Sequence, residues 1–281
     1  MENGSGAHEK LKHLSEIIKE QKRVAVAFSG GVDSAFLLKA ALDVLGTGGV
    51  LAITAGSSIH PKRETDHAAA LAHSLGARHM LMETDELSIP EFVRNPKNRC
   101  YICKRSLFWK MKEKAESLGI LSILEGSNTD DLLDFRPGMR ALKELGIKSP
   151  LLEAGLKKSE IRLLSREMGL ETWDKQPFAC LATRFPYGER ITTEKIAMVE
   201  SCEQYLLNLG FRQVRVRHHG DIARIEVGKD ETARLFRDGL SEMVDAECRR
   251  AGFTYCTIDL KGYRTGSMNQ AAAREETHEQ G

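Results

Sequence analysis

Apolar positions along the chain alternate between two rhythms. From His8 to Gln21, Leu11, Leu14, Ile17 and Ile18 fall on one face of a helix. Val24-Ala25-Val26-Ala27-Phe28 is wholly apolar, as a strand buried on both faces of a parallel sheet reads. The alternation continues with a helix over Ser34–Leu45, where Phe36, Leu37, Leu38 and Leu42 are apolar, and a strand at Val50–Thr54. A helix over Lys62–Leu75, stopped by Gly76, leads to a strand at His79–Glu83. A helix near Arg105–Leu118 and a strand at Leu121–Glu125 follow. Lys158-Ser159-Glu160 then opens a helix that runs to Met168 and is closed by Gly169. Strands and helices at this spacing predict an α/β fold built on a doubly wound parallel sheet.

The rhythm changes after Pro186-Tyr187-Gly188. A helix near Glu194–Leu209 ends at Gly210. Val214–Arg217 and Ala223–Val227 alternate with the two-residue period of half-exposed strands, joined by a turn at His218-His219-Gly220-Asp221. A helix over Thr232–Ala251 and a strand at Tyr255–Leu260 complete a small C-terminal α/β domain. The expected division is residues 1–187 and 188–281, with frayed tails at 1–9 and from about 268 onward. No internal repeat or low-complexity block is evident.

Composition narrows the partners. Forty-one basic and 40 acidic residues leave a net charge of +1. A protein that grips a long nucleic acid carries a clearer basic excess, so a small-molecule substrate is expected. No run of about 18 apolar residues suggests a membrane span, and the polar start does not read as a signal peptide. A cytoplasmic location is expected, with the six cysteines as thiols, ligands or catalysts rather than disulfides. A homo-oligomer is the expected assembly.

The chemistry begins at Ser29-Gly30-Gly31-Val32-Asp33-Ser34, between the first strand and the helix after it. In open α/β sheets, ligands bind beyond the carboxyl ends of the strands. Gly30 and Gly31 let the backbone approach an anion, and Ser34 opens a helix whose N-terminus favours negative charge. Ser29 and Ser34 add hydroxyls, and Asp33 is an expected ligand of a phosphate-bound Mg²⁺. The Gly-Lys-Ser/Thr of a Walker A loop is missing. The segment resembles the loop of the N-type ATP pyrophosphatases, which implies that ATP is cleaved between its α- and β-phosphates with transfer of AMP. Thr54, Asn128 and Asp130 are further expected ATP contacts. Asp130 and Asp131 also read as a turn that caps the next segment.

No glutaminase-like segment is evident, which disfavours an amide-forming synthetase. Thiolating relatives use cysteine instead. This chain has Arg99-Cys100-Tyr101-Ile102-Cys103-Lys104 and, 77 residues beyond Cys103, Cys180 within Pro177–Gly188. With Glu125-Gly126-Ser127-Asn128-Thr129-Asp130-Asp131, the Pro150–Leu170 stretch, Cys180–Thr193 and Val214–Val227, the sequence resembles the ATP-dependent sulfur transferases of lactate racemase maturation, the LarE family. The resemblance spans most of the chain. It implies a pyridinium-3,5-biscarboxylic acid mononucleotide substrate whose carboxylates are adenylylated and converted to thiocarboxylates, as precursor of a nickel-pincer nucleotide. It implies Cys180 as the catalytic cysteine.

Two sulfur sources follow. Cys180 can be a sacrificed donor, or Cys100, Cys103 and Cys180 can ligate a 4Fe–4S cluster whose open iron carries sulfide. Ligand count favours the cluster. A structural zinc knuckle and a redox dithiol remain as alternatives for Cys100 and Cys103. Cys202, Cys248 and Cys256 read as buried small apolar groups. Arg184, Arg215 and Arg217 are expected to grip the substrate phosphate, although exposed strand arginines are commonly just a solvated face. Two other functions compete: a tRNA thiolase with the same ATP chemistry, and a non-catalytic nucleotide sensor.

Overall fold

The structure, a computed structural model, describes residues 2–133, 137–176 and 179–264. The expected C-terminal tail from about 268, and Pro177 and Phe178 of the cysteine segment, lie outside the described residues. In chain order the elements are α1 (Glu2–Lys19), β1 (Val24–Ala27), α2 (Val32–Gly49), β2 (Val50–Gly56), α3 (Lys62–Ser74) and β3 (Arg78–Glu83). Next come α4 (Pro90–Val93), α5 (Arg99–Ser117), β4 (Ser122–Leu124), α6 (Gly138–Glu144), α7 (Pro150–Glu153) and α8 (Lys158–Glu167). The chain continues with α9 (Thr193–Asn208), β5 (Val214–His219), β6 (Ile222–Val227), α10 (Leu240–Ala251) and β7 (Tyr255–Ile258).

Two compact units emerge, residues 1–86 with 98–178, and residues 87–97 with 179–281. The first is built on a four-stranded parallel sheet in the order β3-β2-β1-β4. Alternate residues of β1 enter separate cores, which is why the segment is apolar throughout. Val24 and Val26 pack with Leu14 of α1, Phe36 of α2 and Leu164 of α8. Ala25 packs with Phe108 and Met111 of α5 and Leu142 of α6. Helices thus cover both faces, as a doubly wound sheet requires.

The second unit holds a three-stranded sheet, β5-β6-β7, with β5 and β6 antiparallel and β6 and β7 parallel. Its division from the first differs from a single cut near residue 187. Residues 87–97 belong with it because Asn95 is bound there by side chain and backbone: its Nδ2 donates to the Pro186 carbonyl at 2.7 Å, and Gly188 N donates to its carbonyl at 2.9 Å.

Four local expectations change. The start is helical from Glu2 rather than frayed to residue 9, since Ala7 is buried and Lys10 bonds Glu160 of α8 at 2.7 Å. Helix α5 begins at Arg99, which places Cys100 and Cys103 one turn apart at its start. The helix expected over Thr232–Ala251 is interrupted, because Asp238 and Gly239 take positive φ (54° and 70°) ahead of α10. Strand β5 is buried at Val214–His218 on both faces, so its arginines are not a solvated face. Among the described residues no helix is long and apolar enough to cross a membrane.

Candidate active site

The Ser29–Ser34 loop leaves β1 at its carboxyl end and becomes the first turn of α2. Its inner hydrogen bonds come from its own residues. Ser34 Oγ donates to the Gly31 carbonyl at 3.2 Å and accepts from Ser29 N at 3.3 Å. Ser29 Oγ lies 3.1 Å from Ser34 Oγ and accepts from Gly31 N at 3.4 Å. Ser34 is buried while Ser29 is exposed and Gly31 and Asp33 are partly so, which gives the loop one open side. Gly30 has φ +68°, and a Cβ there would approach Ala68 Cα of α3 to 3.0 Å. Both facts demand glycine. The first N–H groups of α2 have no partner within the helix, so anion binding is the natural use of this side.

The turn after β4 closes on the same helix end. A Cβ on Gly126 would meet Ser34 N at 3.2 Å, so the two backbones are in close approach. Glu125 accepts from Ser127 N at 3.0 Å, Ser127 Oγ at 2.8 Å and Ser149 Oγ. That fixes Asn128, whose Nδ2 reaches Asp33 Oδ1 at 3.3 Å. Lys158, the first residue of α8, forms an ion pair with Asp33 Oδ2, and its backbone N–H donates to Asp130 Oδ2 at 3.0 Å. Asp131 accepts from Asn128 N at 2.9 Å. Asp130 and Asp131 therefore serve the turn and the start of α8, and Asp33 is the carboxylate beside the loop. Thr54 is buried: its Oγ1 donates to the Phe28 carbonyl at 2.7 Å and meets His79 Nε2 at 2.8 Å. It braces the root of the loop. Because that hydroxyl proton is committed to Phe28, His79 must donate through Nε2. Burial lowers the His79 pKa, in keeping with the neutral ring.

Sequence reasoning missed Lys158, Glu125, Lys175 and Glu64. Lys175 Nζ donates to the Gly30 carbonyl at 3.2 Å and to Glu64 Oε2 at 3.0 Å. No motif signals a lysine that reaches the loop from 145 residues away.

In the second unit, Cys180 directly precedes a short 3-10 turn, Leu181–Arg184, and is partly exposed. Arg184 holds that turn from inside. Its Nη1 donates to the carbonyls of Ala179 at 2.7 Å and Cys180 at 3.1 Å, while Nε and Nη2 bond both oxygens of Glu203 at 2.8 and 2.9 Å. The guanidinium is fully buried. Burial alone would raise the Glu203 carboxyl, but the charge and hydrogen bond of Arg184 hold it below its ordinary value. Arg217 bonds Glu226 Oε2 through Nε and Nη2 at 3.0 and 2.7 Å and the Thr183 carbonyl at 3.1 Å. Arg215 stacks over Tyr263 at 5.1 Å, and burial, with the Arg184 charge, pulls its pKa down to about 10. All three expected phosphate-binding arginines are thus buried, with Arg184 and Arg217 braced by carboxylates the sequence did not single out.

Cys100 is exposed and Cys103 partly so, and Tyr101 between them donates to Glu144 Oε2 of α6 at 2.7 Å. Among the described residues no group of three or more His, Cys, Asp or Glu side chains is arranged to hold a metal ion. Cys202 and Cys248 are buried, as expected, and Cys256 is partly buried. The hydrogen bond between Cys248 and Cys202 pushes the Cys248 thiol up to about 12, so Cys248 is no nucleophile at neutral pH.

The parallel sheet and the glycine loop define a PP-loop enzyme that uses ATP, and the family described as NAD synthase matches residues 8–104. Full-length relatives are more specific. A protein of Lactiplantibacillus plantarum named pyridinium-3,5-bisthiocarboxylic acid mononucleotide synthase is 38% identical over 263 residues, 94% of this chain and 95% of that protein. An uncharacterized protein of Synechocystis sp. is 42% identical, covering 94% of this chain and 98% of its own length. One from Methanocaldococcus jannaschii is 27% identical, covering 91% and 98%. This chain belongs to the LarE family, that of the L. plantarum synthase.

Proposed function

We propose that the enzyme is an ATP-dependent sulfur transferase that converts the carboxylates of pyridinium-3,5-biscarboxylic acid mononucleotide to thiocarboxylates, toward a nickel-pincer nucleotide for lactate racemase. The observation that carries this reading is the 38% identity over 94% of the chain with the L. plantarum synthase. The loop geometry supports its first half. A substrate carboxylate oxygen attacks the α-phosphorus of ATP, and the bond to the β-phosphate oxygen breaks. Pyrophosphate leaves with the electron pair, received by the N–H groups and hydroxyls of Ser29–Ser34. A carboxylate is already a nucleophile, so the protein's task is orientation and charge stabilisation. Asp33 is a partly exposed oxygen donor on the open side and fits Mg²⁺, which supplies further neutralisation of the phosphates when bound. In the second half a sulfur nucleophile attacks the acyl carbon and AMP departs.

Cys180 is assigned to sulfur delivery. The Arg184 bonds to the Ala179 and Cys180 carbonyls hold its backbone, which suits a residue that must meet an acyl adenylate. For the substrate phosphate we propose Arg215 and Arg217, neighbours on one face of β5. Arg184 is instead fully buried and commits its donors to Glu203 and to the Ala179 and Cys180 carbonyls, so it holds the turn. For the cluster, Cys100 and Cys103 suit two thiolate ligands on one helical turn. In that reading Cys180 is the third ligand; among the described residues no group of three is arranged to hold a metal ion. A tRNA thiolase is disfavoured by the balanced charge.

The test is direct. Incubated with ATP, Mg²⁺ and the dicarboxylate nucleotide, the enzyme yields AMP, pyrophosphate and a sulfur-bearing product; ADP and orthophosphate overturn the reading. Anaerobic protein with about four irons per chain supports the cluster. Iron-free protein that loses the elements of H₂S from Cys180 identifies the sacrificial donor. Light scattering tests the homo-oligomer we also propose.

A further inference from the structure

The phosphate loop contains no basic residue, yet an ammonium lies against its main chain. Lys175 Nζ is 3.2 Å from the Gly30 carbonyl and 3.0 Å from Glu64 Oε2. Glu64 stands in the first turn of α3, the helix whose Ala68 packs against Gly30. Gly30 and Gly31 flank a single peptide, and a peptide between two glycines meets the least steric resistance to rotation. Its two sides are opposite in charge, because a planar trans peptide points its C=O and N–H in opposite directions. Turned one way it offers an anion the Gly31 N–H, and turned the other way it offers a carbonyl oxygen that repels the anion.

Lys175 selects between these orientations. With the Gly30 carbonyl held by the ammonium, the Gly31 N–H faces away from Lys175 and donates to Ser29 Oγ only at 3.4 Å, a long, exposed bond that an anion on the open side can share or replace. The clamp is not an ordinary surface pair, since the Lys175 and Glu64 side chains are 23% and 20% exposed. Burial alone would raise the Glu64 carboxyl. The hydrogen bond and charge of Lys175, with Arg63, outweigh that and hold it below its ordinary value. Nearby His67 is lowered first by its burial and then by the Lys175 charge.

We propose that Lys175, oriented by Glu64, is a positioning residue that fixes the Gly30–Gly31 peptide with its N–H presented to the β,γ-phosphates of ATP. The proposal rests on reading the loop as the ATP site. It predicts a ligand-selective defect. In calorimetric titrations of the full chain, Lys175→Met and Glu64→Gln each weaken binding of inorganic pyrophosphate and α,β-methylene-ATP by about tenfold, the worth of a charge-assisted hydrogen bond. AMP, which lacks the β- and γ-phosphates, keeps its affinity. Lys175→Arg, with charge and donors retained, recovers most of the loss. The NMR-titrated pKa of His67 rises in Lys175→Met, which confirms the ammonium beside it. Pyrophosphate affinity unchanged in Lys175→Met overturns the proposal, as does an equal loss for AMP, which marks general structural damage. A loss in Lys175→Met with none in Glu64→Gln also overturns it, because the lysine then acts on the anion itself. A wild-type chain that binds none of the three ligands refutes the ATP-site reading instead.

Discussion

Asn128 Nδ2 donates to Asp33 Oδ1 at 3.3 Å, tying the turn after β4 to the first turn of α2 across 95 residues of sequence. Asp33 is thereby held from one side by a neutral amide and from the other by Lys158. The carboxylate is thus oriented by the protein alone, which suits the Mg²⁺ contact proposed for it.

Asp33→Asn keeps the size of the side chain but loses its charge and one of the two acceptors that Asn128 and Lys158 use. The expected result is a fall of about 100-fold in pyrophosphate release, the scale of losing one preorganised electrostatic contact. The thermal midpoint stays within a few degrees of wild type. A coupled pyrophosphate assay and a thermal melt check both halves.

Arg184 and Glu203 make the opposite case, a pair that holds structure. Glu203 is buried, bonds Arg184 twice and also accepts from Val216 N at 2.9 Å. Glu203→Ala leaves a buried guanidinium without its counter-ion, so an unfolding free energy about 3–5 kcal/mol lower is expected in urea titrations. The Arg184→Met, Glu203→Leu double variant, with both charges removed, recovers much of that loss.

Gly30→Ala separates loop geometry from fold stability. Its φ of +68° costs an alanine about 1–2 kcal/mol, and the new methyl lies 3.0 Å from Ala68 Cα. The expected variant remains folded by circular dichroism and loses ATP binding by calorimetry. Retained affinity would show that the loop tolerates a different backbone.

Stability is expected to rise with pH between about 5 and 7.5. Burial is the first cause lowering His60, His67, His79, His218 and His219 below their ordinary value. A base with a depressed folded pKa binds fewer protons folded than unfolded. Its share of stability is complete above the unfolded value of about 6.5 and is lost as pH falls through it, levelling off below the folded pKa. Glu64, Glu203 and Asp259, whose carboxyls are lowered, extend the loss to more acid pH. Urea midpoints measured across this range test the slope, and a flat profile between pH 7 and 5 contradicts it.

The sequence alone determined the parallel sheet and the loop. Val24–Phe28 is apolar at every position because both faces of β1 are covered, and Gly30 is glycine because φ is positive and α3 is close. These are local demands, so they leave local marks. The cysteine positions were legible too, but the start of α5 was not, because Asn98 at its N-cap makes no side-chain cap hydrogen bond and, after Asn95-Pro96, reads equally as part of a turn. Only the tertiary structure decided which charges meet. The period of β5 gave Arg215 and Arg217 alternate positions, yet their burial depends on α9, β6 and the turn at Thr183, which the period does not encode. Lys175 with Gly30 and Lys158 with Asp33 are pairings over 145 and 125 residues. Nothing in a lysine's neighbours along the chain records such a partner, because a long flexible side chain finds its counter-charge only after the backbone has placed both.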